Sequence, residues 1–120
     1  MTHEIKTPVD ALRAARKLIE KQENWTQEAF ARTDKGCAVS PYSIHATRFS
    51  NIGALVNLTA EARCGFGTRN EAIKYLIRAI NLSESEEEVA LYNDTHTHAE
   101  NLALFDTAIT LAERDDESAS

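Results

Sequence analysis

Asn93, Asp94, His96, His98 and Glu100 fall within eight positions at the start of the segment YNDTHTHAENLALFDTAI, residues 92–109. Imidazole and carboxylate groups are the ligands of zinc and non-haem iron, so metal binding is the first chemistry to test against this spacing. The spacing argues against it. Histidines two positions apart share one side only in extended chain, whereas this segment reads as the start of a helix. Thr97 suits the N-cap, and Glu100 stands where the second half of a capping box belongs. His96 then lies just before the helix and His98 just inside it, and the i, i+4 histidine pair of helical zinc sites is missing. The sequence therefore predicts surface histidines, with no metal and no cofactor.

Other reactive types are equally isolated. The two cysteines, Cys37 and Cys64, form no C-x-x-C pair. A cysteine nucleophile needs a thiol acidified by its neighbours and a base beside it. Cys37 falls in a loop and Cys64 beside a glycine turn, without a flanking signature. Free thiols in a reducing cytoplasm are the expectation. The stretch CGFGTRNE puts G-x-G before a helix N-terminus, with Arg63 and Arg69 near it. Helix N-termini bind anions, but no strand precedes this one and the full nucleotide-binding pattern is absent. It reads as a corner, and no catalytic residue emerges.

Two sets are candidates for binding. Trp25, Gln27, Arg32, Asn93 and Asp94 combine an aromatic ring with polar groups at short-helix and loop positions. Such residues line a pocket or fasten loops across a fold, the latter through an ion pair such as Arg32–Asp94 or Arg32–Asp34. Glu86, Glu87 and Glu88 form the second set, a surface for a basic partner. Charge distribution singles them out: residues 1–60 carry eight Lys/Arg against six Asp/Glu, and residues 61–120 carry five against thirteen. An acidic half opposes nonspecific nucleic-acid binding and suits a basic protein surface as well as simple solubility.

The elements that must position these residues read as helices. Thr7, Pro8 and Asp10 open the first, with Val9, Leu12, Ala15 and Ile19 as its apolar stripe and Arg13, Lys17 and Lys21 as a solvated row. Asn24 and Gln27 have capping-box spacing for a short second helix, NWTQEAFAR, whose Trp25 and Phe30 are predicted to enter the core. A long third helix is expected from Ser43 through SIHATRFSNIGALVNLTAEA, with Gly53 permitting close approach of another helix. Thr68 and Glu71 open a fourth, with Ile73, Leu76, Ile77 and Ile80 inward. Ser83 and Glu86 open a short acidic helix, and Thr97 the last, whose Leu102, Phe105, Ile109 and Ala112 face inward before a polar tail near 114–120. Residues 1–6 read as a loose polar start. No strand is predicted. The 120 residues make one all-α domain of about four main helices and one or two short ones. No run approaches the roughly 18 apolar residues of a membrane helix, and no signal peptide is expected from the N-terminal residues.

Several short motifs carry a resemblance: AARKLI (14–19), WTQ (25–27), ARTDKG (31–36), SNIGAL (50–55), YND (92–94) and THAENLALFDTAI (97–109). Together they resemble a family of short bacterial and phage proteins catalogued as a domain of unknown function. Its pattern has W-x-Q, A-R-D-x-x-G, C-x-x-G-A-L, W-N-D and T-x-x-x-x-L-x-x-F-D-x-A-I. Ser50 stands where that family has cysteine and Tyr92 where it has tryptophan. The resemblance implies an autonomous helical domain and no activity. The functional expectation is a cytoplasmic, non-enzymatic protein that acts by binding another protein or by self-association. In a phage or mobile element, an inhibitor of a host system fits such a small acidic domain. The alternative is a ligand-binding or hydrolytic protein with a polar pocket around Trp25, Arg32 and Asp94.

Overall fold

A computed structural model describes residues 5–59, 66–80 and 85–119. Among these are five helices and a small three-stranded sheet: α1 (Pro8–Leu18), β1 (Ala31–Arg32), β2 (Ala38–Val39), β3 (Arg48–Phe49), α2 (Asn51–Thr59), α3 (Phe66–Ile80), α4 (Glu86–Thr95) and α5 (His98–Ala119). The architecture is mainly helical.

Helix α1 begins as its residues dictate. The Thr7 hydroxyl accepts from the Asp10 amide, and the Asp10 carboxylate accepts from the Thr7 amide, each at 3.2 Å. Val9, Leu12, Ala15 and Ile19 are all buried. The α1 face packs on α2, α3 and α5, and α5 lies along α3. Phe105, Leu12, Leu55 and Leu76 sit at the centre of this layer, fully removed from water. Burying side chains of this kind contributes about 1.5–3 kcal/mol each. At the periphery Arg13 pairs with Glu113, Arg16 with Asp106 and Arg78 with Asp115, so Arg13 is tied to α5 rather than simply solvated.

The helical reading of residues 24–32 is overturned. Gln22–Asn24 is a single 3-10 turn, after which the chain bridges to Phe49 at Trp25, bends through 27–30 and enters β1 without forming helix. Trp25 bridges Phe49 in parallel, the Thr26 amide donates to the Phe49 carbonyl, and the Ser50 amide donates to the Phe30 carbonyl. β1 pairs antiparallel with both neighbours, Ala31 opposite Val39 and Phe49. Two-residue strands are too short for any alternation of apolar and polar residues to register. Phe30 is 53% exposed rather than in the core, whereas Trp25 is half-buried against it.

The long helix expected from Ser43 is shortened for a local reason. The Ser40 and Ser43 hydroxyls accept from the amides of Tyr42 and His45, both at 3.1 Å. Serine used this way builds turns in competition with helix. The helix starts instead at Asn51, where the buried Ser50 hydroxyl caps it by accepting from the Gly53 amide at 2.9 Å. Gly53 does permit close approach, but of the β1 approach strand and not of a helix. A Cβ built there would lie 1.8 Å from the Phe30 carbonyl oxygen.

Three boundaries differ further on. α3 starts at Phe66, so Thr68 lies within it rather than capping it. The cap of α4 is Ser85, whose hydroxyl accepts from the Glu87 amide; Ser83 lies outside the described residues, as does Cys64. The buried face of α5 runs through Asn101, Leu104, Phe105, Ala108 and Ala112, with Leu102 and Ile109 only partly covered. Helical geometry also continues through the polar tail to Ala119. There Asp115 accepts from the Tyr75 hydroxyl at 2.8 Å and pairs with Arg78. These contacts hold the Asp115 carboxyl below its ordinary range, and the same bond raises the Tyr75 phenol. No described helix is long and apolar enough to cross a membrane.

Candidate functional site

The polar residues of the sequence motifs converge where segment 25–32 crosses α4. Asn93, fully buried on α4, is the centre. Its Oδ1 accepts from the Trp25 indole and from the Asn51 amide, both at 2.9 Å, while its Nδ2 donates to the Thr26 carbonyl at 2.9 Å. Two donors on one side and an acceptor on the other fix which way the amide points. Asn51 continues the network, its Nδ2 donating to the Val89 carbonyl at 2.9 Å and to Asn101 Oδ1 at 3.3 Å. Asn101 in turn donates to the Thr97 carbonyl at 3.0 Å. All three asparagines are wholly buried, and no buried side-chain polar atom among the described residues lacks a partner. Asn51 and Asn101 were missed from sequence. Their one legible signal was position, each inside a motif already quoted for the resemblance.

Gln27 serves the end of α4. Its amide nitrogen lies 3.1–3.2 Å from the carbonyls of Asn93, Asp94 and His96, groups that a helix terminus leaves unsatisfied. Asp94 holds the neighbouring backbone: its Oδ1 accepts from the Glu28 amide at 2.7 Å. Glu28 has φ of 63°, a left-handed conformation that costs an L-residue roughly 1–2 kcal/mol. The Asp94 bond falls at the residue that needs it. Neither ion pair expected for Arg32 is formed. Its guanidinium donates to the carbonyls of Gly36 at 2.9 Å and Gln27 at 3.3 Å, clasping the β1–β2 turn to that segment.

The histidines are less exposed than expected. His96 stacks on Tyr92 with ring centres 3.6 Å apart, and His98 packs against Trp25 with its Nε2 2.6 Å from the Ile19 carbonyl. Burial, together with the Glu100 charge, raises the Tyr92 phenol. The Thr97–Glu100 capping box is present in both directions, at 3.1 and 2.8 Å. It holds the Glu100 carboxyl below its ordinary range, chiefly through the Thr97 backbone bond and then its hydroxyl.

Beside this network lies a surface with both apolar and charged character. Asp94, Ala90, Phe30, Ala29, Glu28 and Ser50 line a groove of about 310 Å³. Helical spacing puts Glu87, Leu91 and Asp94 on the outward face of α4, opposite buried Val89 and Asn93. Leu91 is 54% exposed at the middle of that face. Glu86 and Glu87 are exposed and Glu88 partly so. The polar set and the acidic set, separate in sequence, thus meet on α4. A larger groove, about 640 Å³, lies over α1 between Ile5, Ala14, Leu18 and Leu58 and shares no residue with either set. No group of three or more His, Cys, Asp or Glu side chains among the described residues is arranged to hold a metal ion.

Fold and site together define a mainly helical domain, clasped by a buried asparagine network, with an acidic helix face turned outward. The chain belongs to the family of unknown function DUF6197, whose model matches residues 3–111. No curated protein and no solved structure matches it.

Proposed function

We propose that this protein acts by binding another protein through the outward face of α4 and the adjoining segment 28–30, without catalysis of its own. The observation that carries the reading is Leu91. It is a large apolar side chain, more than half exposed at the centre of a helix face bordered by Glu87, Glu88 and Asp94 and adjoining the Phe30 groove. Exposed apolar groups rimmed by charge mark interaction surfaces. From residue 79 to residue 113 the chain has no Lys or Arg, so the complementary partner is a basic protein surface with an apolar side chain to insert. Action in the cytoplasm, and as an inhibitor of a host system in a phage or mobile element, extends this reading. The rival, a ligand or hydrolytic site around Trp25, Arg32 and Asp94, has less support. The Trp25 indole N–H, one Asp94 carboxylate oxygen and two Arg32 nitrogens are engaged within the fold.

Affinity capture from lysate of the source cells, with wild type and the triple variant Glu86→Lys, Glu87→Lys, Glu88→Lys side by side, tests the proposal. A partner held by wild type at low salt, released as salt rises and lost with the variant is expected. The variant should keep a helical spectrum and melt modestly lower, because positive charge replaces the acids at the N-terminus of α4. Capture unaffected by charge reversal and by salt would remove this face.

A further inference from the structure

The molecule carries a second exposed apolar feature. Between β2 and β3 the loop 40–47 projects Ile44, 91% exposed, and Tyr42, 57% exposed. This loop is built rather than slack. The two serine-capped turns shape it, the Ser43 and Ala46 amides donate to the carbonyls of Ser40 and Ser43, and Asn57 Nδ2 donates to the Pro41 carbonyl at 2.9 Å. The Tyr42 hydroxyl accepts from Arg69. An isoleucine held out in water on an ordered turn has already lost much of the freedom that docking would cost it. The loop itself carries no Lys, Arg, Asp or Glu; beside it stand Arg48 at its end and, on the turn that Arg48 reaches through the Asp34 carbonyl, Lys35 next to Asp34. The surface beside α4 has the converse character: Phe30 and Ala90 line its groove with Glu28 and Asp94, and helical spacing puts exposed Leu91 and Glu87 on the face of α4 next to it.

We infer that the occupant of the α4 groove is the loop 40–47 of a second copy of this chain. Ile44 seats in the groove at Phe30 and Ala90, beside Leu91, and Lys35 and Arg48 face Glu28, Glu87 and Asp94. The inference rests on the reading of α4 as a protein-binding face and names its partner. Loop and groove are different surfaces, so the contact is satisfied twice in an isologous two-fold dimer or once per junction in a heterologous head-to-tail assembly.

Sedimentation velocity on the full chain over a dilution series, at low and at raised salt, reads the outcome. Wild type should pass from monomer to a larger species with concentration, less readily at raised salt. Ile44→Asp and the groove variant Glu87→Lys with Leu91→Lys should each weaken association by at least roughly tenfold, about 1.4 kcal/mol, with unchanged circular dichroism. An equal mixture of the two variants should regain a complex, since the intact loop of one meets the intact groove of the other. A chain that stays monomeric throughout, association that survives both variants, or a mixture that does not recover would each overturn the inference. A monomer that still captures a partner lost on α4 charge reversal would leave the protein-binding reading standing and remove only the second copy.

Discussion

Asn93 illustrates how one buried amide decides local structure. Its removal by Asn93→Ala would strand the buried Asn51 amide and the part-buried Trp25 indole and Thr26 carbonyl, and a fully buried stranded group costs roughly 1–3 kcal/mol. Urea denaturation should show a loss of at least about 2 kcal/mol; a loss under 1 kcal/mol would mean water replaces the amide at little cost. The exposed capping box behaves differently. Thr97→Ala should cost roughly 0.5–2 kcal/mol. Glu100, whose carboxyl is held below its ordinary value of 4.5 in the folded chain, contributes stability that is complete above that value and disappears as pH falls through the lowered one. Glutamine keeps the capping geometry without the charge. Melting curves across acid pH should therefore show the gap between wild type and Glu100→Gln closing on acidification, and a gap independent of pH would refute the electrostatic part.

At the scale of elements, the contact between α2 and segment 25–32 depends on the missing side chain of Gly53. Elsewhere in a helix, glycine to alanine gains up to about 1 kcal/mol. Here the added methyl meets a backbone carbonyl, not the far end of a flexible side chain. Gly53→Ala should destabilise the fold by roughly 1–3 kcal/mol, the usual range for overpacking. It should also displace segment 25–32, read as a shift in the emission of Trp25, the chain's one tryptophan. A neutral or stabilised variant with unaltered emission would mean that the segment yields freely.

Across the whole molecule, the asparagine network joins the segment 25–32 to α2, α4 and α5, while α1, α3 and α5 share the apolar core. A polar clasp that is satisfied only when all its elements are docked couples their unfolding. Far-UV circular dichroism should report a mainly helical spectrum. Its thermal transition should coincide with that of Trp25 fluorescence. Tryptophan emission that changes well before helix is lost would show the segment to be a separate unit of stability.

The sequence by itself determined the helices whose caps and apolar stripes agree: α1 behind Thr7, α5 behind Thr97, and the acidic first turn of α4. Those signals are local, within a turn or two of one another, and need no knowledge of the rest of the chain. It also brought Trp25, Gln27, Asn93 and Asp94 into one group, and hydrogen bonds join them in the folded chain. Tertiary structure alone decided the rest. Asn24 and Gln27 have capping-box spacing, yet groups of residues 26–30 meet Phe49, Ser50 and the end of α4, far away in sequence, and those partners hold the chain out of helix. Asn101 turned the buried face of α5 away from the stripe that apolar residues alone define, because a buried asparagine is indistinguishable from a surface one until Asn51 stands opposite it. Phe30, read as core, was left at the surface for the same reason: its backbone, and not its ring, is what α2 required.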